Sequence, residues 1–338
     1  MSFQNKSEQR GGMLAWFNLR RRAPEIAHLW ILLALGFALG IGLTPGSFLS
    51  SGNFNSMASQ MPELGILTFA MMITLMSGGI NLATIAIANF AALTMAGVLQ
   101  LSAVAAIFAI SPAFGATVTV LAGLLSGLLL GGLTGAIIAY LWVSPILATL
   151  GAMTLIDGMN LMLSGGSVIS DFPAVFAYLG QGKILWIPVP MTIFLVVNVL
   201  VYVLFDRTQF GIKLRFIGSN PIATEYSGVD VQKSTMQIYA ISGLLAAVAG
   251  IVMMSRFNSV NVSYGQSYLL VTILAAVLGG VDPFGGRGRV LRVVLALVIL
   301  QLVSSVMNLL ALSNHITLMI WGGLLLFGLY FLRNHSTR

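Results

Sequence analysis

Long apolar runs alternate with short polar stretches along the whole chain, and the charged residues gather at the ends of the runs. A helix needs roughly 20 apolar residues to cross the hydrocarbon core of a bilayer, which is about 30 Å thick. Runs of that order fall near residues 28–48, 62–79, 84–110, 114–141, 146–164, 185–205, 236–256, 265–281, 289–312 and 315–332. The pattern predicts an all-α, polytopic transmembrane helical bundle of about ten spans. The run near 265–281 is short, and the one near 84–110 is long enough to tilt or break.

Orientation follows from the basic residues, because cytoplasmic loops carry the Lys and Arg excess. Lys6, Arg10, Arg20, Arg21 and Arg22 precede the first run. Arg207, Lys213, Arg215 and Lys233 follow the sixth, Arg287, Arg289 and Arg292 follow the eighth, and Arg333 and Arg338 end the chain. With ten spans these fourteen share one side, and only Lys183 and Arg256 fall on the other. The expected layout is a cytoplasmic N-terminal segment at 1–27, a transmembrane domain at 28–332 with a cytoplasmic loop at 206–235, and a cytoplasmic tail at 333–338.

Composition agrees, with 58% of the 338 residues hydrophobic and 7% charged. Soluble domains carry about 25% charge. The net charge of +7 does not indicate nucleic acid, since the basic residues are spread over span ends and not gathered on one soluble face. The absence of cysteine excludes disulfides and thiolate chemistry. The first apolar run is too long for a signal-peptide core and reads as a retained anchor.

Segment 206–235 is the most soluble-looking part of the chain. Asn220 is a good N-cap, Pro221 suits a first helical turn, and Gly228 reads as a stop, so a short helix is expected between two spans. The outer loops are 50–60, rich in Ser and Asn, and 165–190, which holds Asp171, Lys183 and Trp186. The longer one is either a rim for an external partner or an inert connection. In the fourth run, Gly123, Gly127, Gly131 and Gly135 recur every four residues and form a bare stripe for close helix packing.

Catalytic motifs are absent. His28, His315 and His335 have no metal-ligand spacing, and neither a phosphate-binding loop nor a nucleophile elbow occurs. Polar residues inside the spans are the functional candidates, because they are expensive in lipid. These are Asn81, Thr84, Asn89, Asp157, Asn160, Gln301 and Asn308. Interhelical hydrogen bonding is the competing explanation for each. An Asp at a helix centre costs about 2.5–3.5 kcal/mol on insertion scales, so Asp157 is expected to face the protein interior or a water-filled path. Ser77-Gly78-Gly79-Ile80-Asn81 and Gly279-Gly280-Val281-Asp282 look alike, and both sit at span ends.

Four stretches together resemble a known family. They are Ser77 to Leu82; Pro145 to Gly151 with Met153-Thr154; Thr208 to Gly250, including Phe210-Gly211, Ile217-Gly218, Asn220-Pro221, Ser227-Gly228 and Ser242 to Ala247; and Val277 to Gly280 with Phe284 to Gly288. In this order they are similar to the permease subunit of bacterial ATP-binding-cassette importers of the ribose/galactose/xylose class, which also serves autoinducer-2. The resemblance implies a multi-pass inner-membrane protein that pairs with a second permease subunit, docks a cytoplasmic ATPase and receives solute from a periplasmic binding protein. It implies no cofactor in this chain, ATP and Mg being held by the ATPase. It also gives Gly211, Gly218, Asn220, Pro221, Ala223, Thr224, Ser227 and Gly228 a role in ATPase coupling.

The chain departs from the family pattern at several points. Asn81 stands where Asp is usual, Ala83-Thr84-Ile85 replaces a smaller Ser-Val-Gly, Asp157 stands where Arg is common, and Arg292 stands where Gly is common. These changes favour a heterodimer, in which a second permease supplies the missing groups, over a homodimer. The alternative class is a secondary transporter or intramembrane enzyme that needs no ATPase. It predicts dependence on an ion gradient through Asp157, whereas a coupling helix predicts uncoupling on changing Gly218 or Asn220.

Overall fold

The computed structural model describes residues 28–336; Lys6, Arg10, Arg20, Arg21, Arg22 and Arg338, expected on the cytoplasmic side, lie outside them. Helix α1 (His28–Leu43) is followed by α2 (Ser51–Met76), α3 (Thr84–Leu99), α4 (Ser102–Ile110), α5 (Pro112–Tyr140) and α6 (Pro145–Ser164). Next come β1 (Ile169–Ser170), α7 (Ala174–Gln181), β2 (Lys183–Ile184), β3 (Ile187–Pro188), α8 (Val189–Arg207), α9 (Gln209–Ser219) and α10 (Pro221–Tyr226). The chain ends with α11 (Val231–Phe257), β4 (Ser259–Val260), α12 (Tyr268–Leu278), α13 (Val290–Leu309) and α14 (Asn314–Ser336).

Five of these helices are long and apolar enough to cross a membrane, or six when α3 and α4 count as one broken span. The chain is a multi-pass helical membrane protein. The long run near 84–110 does break, with α3 and α4 meeting at 71°. Helix starts follow local chemistry: Ser50 Oγ accepts the Asn53 N–H, and Asp230 Oδ1 accepts the Lys233 N–H at 2.8 Å.

Two helices form the centre. Every residue of α2 from Met61 to Met76 is buried, and α11 is the most enclosed of the five long apolar helices. Phe69 of α2 stacks on Phe194 of α8 with ring centroids 5.7 Å apart, and Gly65 makes room for that ring. Helix α5 packs on α11 through the glycine stripe. A Cβ on Gly127 would meet the Gly243 carbonyl at 2.6 Å, and one on Gly131 would meet the Tyr239 carbonyl at 2.4 Å. Gly123 faces Met95 and Ala91 of α3 in the same way, and Gly135 faces Tyr239 and Met236. On the opposite face of α5, Leu121, Leu125, Leu129 and Leu133 are exposed. Small residues inside and leucines outside are what lipid favours, because backbone contact and not hydrophobicity drives helix association there.

Candidate functional site

The break between α2 and α3 begins with a local signal. The Gly79 N–H bonds the Thr74 carbonyl, the Gly78 N–H bonds the Leu75 carbonyl, and Gly78 has φ +84°. This is the glycine-ended helix stop that leaves carbonyls satisfied. The similar stretch at Gly279–Asp282 closes α12 the same way: Val281 N–H reaches Ala276, Gly280 N–H reaches Val277, and Gly280 has φ +77°. The echo in the sequence is therefore one capping device used twice.

Irregular backbone at this depth is tolerated only when protein satisfies it, and the candidate polar residues do so. Asn81 is fully buried; its Nδ2 donates to Ser242 Oγ at 3.0 Å, and its Oδ1 accepts the Ala83 N–H at 3.1 Å. Ser242 in turn donates to the Ala70 carbonyl at 2.8 Å. Thr84 donates to the Asn81 carbonyl at 2.7 Å, and Thr149 donates to the Ile80 carbonyl at 2.9 Å. Asn160 Nδ2 donates to the Ala86 carbonyl at 3.0 Å. Asn89 Nδ2 bonds the carbonyls of Val262 and Tyr264 at 2.8 and 3.0 Å. Asn81, Thr84, Asn89 and Asn160 thus brace the broken segment, each committed to backbone or to a neighbouring strut. Asp157 lies beside one of them. It is half-buried on α6 with Asn160 as a neighbour, on a helix that is mostly open to its surroundings, and so does not point into the bundle core.

A second polar group is invisible as a local pattern. Glu63 is fully buried in α2; Arg256 donates to it twice, at 2.8 and 3.1 Å, and Tyr268 donates its hydroxyl to the same carboxylate. Arg256 also lies over the Phe257 ring, 4.3 Å from its centroid. Both of these charges fall at ends of apolar runs, as the charge pattern has it, but the structure buries them against each other. Glu63 in an apolar run, and Arg256 on the sparsely basic side, were each a signal. Breaking such a buried pair costs about 3–5 kcal/mol, because one charge stays uncompensated.

At the opposite end of α2, three segments interlock. Asn220 Oδ1 accepts the Ala223 N–H at 3.0 Å, Pro221 opens α10, and Gly228 follows its end with φ +82°. Gly211 lets α9 fold back on the end of α8, where a Cβ would meet the Phe205 carbonyl at 1.9 Å. Gly218 abuts the Met76 carbonyl, and that same carbonyl accepts the Gly286 N–H at 2.9 Å. Ala223 and Ser227 bond to each other along α10, and Thr224 is buried beneath it. Ile222 and Tyr226 of α10, and Phe284 of the sequence-distant loop 282–288, stand exposed.

Gln301 and Asn308, the last two candidates, lie on α13 far from the break. They line a cavity of about 320 Å³ shared by α2, α12, α13 and α14. The candidate residues therefore divide into bracing groups around α3 and a separate pocket behind α12.

Residues 55–329 match the family described as branched-chain amino acid transport system, permease component. The chain belongs to this family, and is a permease of the ATP-binding-cassette import class, a transport component rather than an enzyme. It is 37% identical to the ribose import permease of Haemophilus influenzae over 57% of this chain and 61% of that one. It is 32% identical to the ribose import permease of Bacillus subtilis, covering 86% and 87% of the two chains. It is 31% identical to the autoinducer 2 import system permease of Yersinia enterocolitica, covering 91% and 92%. No solved structure matches.

Proposed function

We propose that this chain is the inner-membrane subunit through which an ATP-driven importer moves a sugar or sugar-like solute delivered by a periplasmic binding protein. It has ten spans, both termini lie in the cytoplasm, and ATP and Mg are bound by a separate ATPase. Support for the orientation comes from the clustering of Arg207, Lys213, Arg215 and Arg287 around the same interlocked end of the bundle. Relatives covering most of their own length are ribose and autoinducer 2 import permeases, which supports the solute class.

The observation that carries the reading is the contact of α9 with the last residue of α2. Helix α10 offers Ile222 and Tyr226 outward, and Gly218 transmits any displacement of the α9–α10 unit to Met76 and so to the break braced by Asn81. A docked ATPase that shifts α10 thereby moves the connection between α2 and α3. The experiment is reconstitution with the ATPase and binding protein. Ile222→Asp should release the ATPase, and Asn220→Ala should leave ATP hydrolysis running with little uptake. Uptake by the intact chain that follows an ion gradient and ignores ATP would defeat the reading.

The second permease is proposed to be a different chain. The departures at Asn81 and Asp157 motivate this, together with the largely open apolar face of α6 at Leu147, Leu150, Leu155 and Met162. Active transport by a purified assembly containing only this permease would establish a homodimer instead.

A further inference from the structure

The loop between α6 and α8 is firmly built. Its helix α7 buries Phe176 completely and brings Gly180 so close to the Ser255 carbonyl, at the end of α11, that no side chain would fit. From that base the chain makes a hairpin in which Lys183 pairs with Pro188 and Ile184 with Ile187. The Val189 N–H, which opens α8, donates to the Gly182 carbonyl at 2.9 Å and closes the hairpin's base. Leu185 and Trp186 form the two-residue turn, with φ +48° and +73°. Two positive φ values in succession are what a type I′ turn requires, and Asn-Gly is the pair that meets the demand without strain. Leu and Trp do not, because a side chain in this region crowds the following carbonyl. Yet Trp186 is 92% exposed and Leu185 86%, with Ile184 and Ile187 exposed beside them. A turn that breaks its own local rule in order to hold apolar side chains outward points to a partner outside the chain.

We infer that this hairpin is a membrane-interface anchor. Leu185 and Trp186 sit at the boundary between headgroups and acyl chains in the leaflet where α8 begins, and Lys183 reaches lipid phosphate. Strand β3 runs directly into α8, a helix long and apolar enough to cross a membrane, so the tip lies at the level where that span enters. The indole N–H is the single polar side-chain group of the turn, and a ring with one polar edge is what the aromatic belts of membrane proteins place at this depth. A docking surface for a soluble protein carries a polar rim, whereas here Ile184 and Ile187 extend the apolar tip. Lys183 is exposed at the foot of the hairpin, and its long stem carries the ammonium to the phosphate level. The same combination recurs at the other end of α6. Trp142, 78% exposed with φ +56°, lies in the turn just before that helix. The 20 residues of α6 span about 30 Å, the thickness of the hydrocarbon core. The hairpin thus fixes the depth of α8 and, through α7, of the adjoining end of α11. The inference stands on α8 as a membrane span and not on the importer reading.

The chain contains no cysteine, so Leu185→Cys can carry a single nitroxide label in the full permease, held with its ATPase in nanodiscs. Collisions with oxygen, which concentrates among acyl chains, and with a water-soluble nickel chelate report the label's depth. Leu129→Cys on the exposed face of α5 gives the lipid limit, and the free label in buffer gives the water limit. The label at 185 should fall between them, about 5–10 Å inside the headgroup boundary. Adding Trp186→Asp should shift it to the water limit. A second measurement needs no label: lipids brominated near the headgroup end of the acyl chain should quench the emission of the unaltered chain more than that of Trp186→Phe. A label at 185 as open to the chelate as the free label overturns the inference, as does equal quenching of the two proteins. A label that loses chelate access only when the periplasmic binding protein is added also overturns it, and makes the hairpin a protein-docking surface.

Discussion

Gly218, next to last in α9, lies so close to Met76, the last residue of α2, that a Cβ on the glycine would fall 2.0 Å from the Met76 carbonyl oxygen. The same oxygen accepts the Gly286 N–H, so α9, α2 and the loop before α13 meet at one atom. Backbone-to-backbone contact of this kind transmits displacement with no slack, because no side chain is present to rotate away.

Gly218→Ala is therefore expected to separate α9 from α2 or to strain both. Overpacking costs about 1–3 kcal/mol, and the substitution should reduce uptake per ATP hydrolysed more than it reduces ATPase binding. Parallel measurement of phosphate release and solute uptake in proteoliposomes checks this.

The Glu63–Arg256 pair makes a prediction about coupling. Arg256→Met alone should destabilise the chain by about 3–5 kcal/mol, because Glu63 is left buried and uncompensated. The double change Glu63→Gln with Arg256→Met should cost less than the single one. Unfolding of the four proteins in detergent, read as a double-mutant cycle, gives the interaction directly.

Ser242 is the middle of a relay from Asn81 to the Ala70 carbonyl. Ser242→Ala leaves the Asn81 amide without its acceptor, and about 1–3 kcal/mol of stability should be lost. The change should also raise hydrogen exchange at 77–86, where Asn81 holds the break. Exchange confined to the helix termini elsewhere would show that the strut is dispensable.

The two faces of α5 should respond in opposite ways. Gly131→Ala places a methyl group against the Tyr239 carbonyl and should cost about 1–3 kcal/mol. Leu129→Ala, on the exposed face, should stay within about 0.5 kcal/mol. Thermal unfolding midpoints of both variants in one detergent decide the matter.

The relatives named as ribose and autoinducer 2 permeases agree with the family that the four short stretches indicated. That agreement came from ordered local motifs, each a turn or a cap with its own physical cause. Asn220 and Pro221 begin a helix because of chemistry within three residues, and the structure has that helix at Pro221–Tyr226. Asp157 was harder, since the cost of a charge in lipid says that it needs polar surroundings but not where they are. The bundle leaves it half-buried on α6.

The amino-acid sequence by itself determined where apolar helices form, where they stop, and which face of α5 is bare. Those outcomes depend on residues within a turn or two of one another. Only the tertiary structure decided which polar groups meet. Asn81 and Ser242 are 161 positions apart, Glu63 and Arg256 are 193 apart, and Glu63 and Tyr268 are 205 apart. Side chains so distant are brought into register by helix packing, which fixes rotation and depth for each helix at once. For the same reason the sequence could name Asn81 and Gln301 alike as polar residues in lipid. Packing then gave the Asn81 amide both an acceptor and a donor within the bundle, and left the buried Gln301 Nε2 without an acceptor.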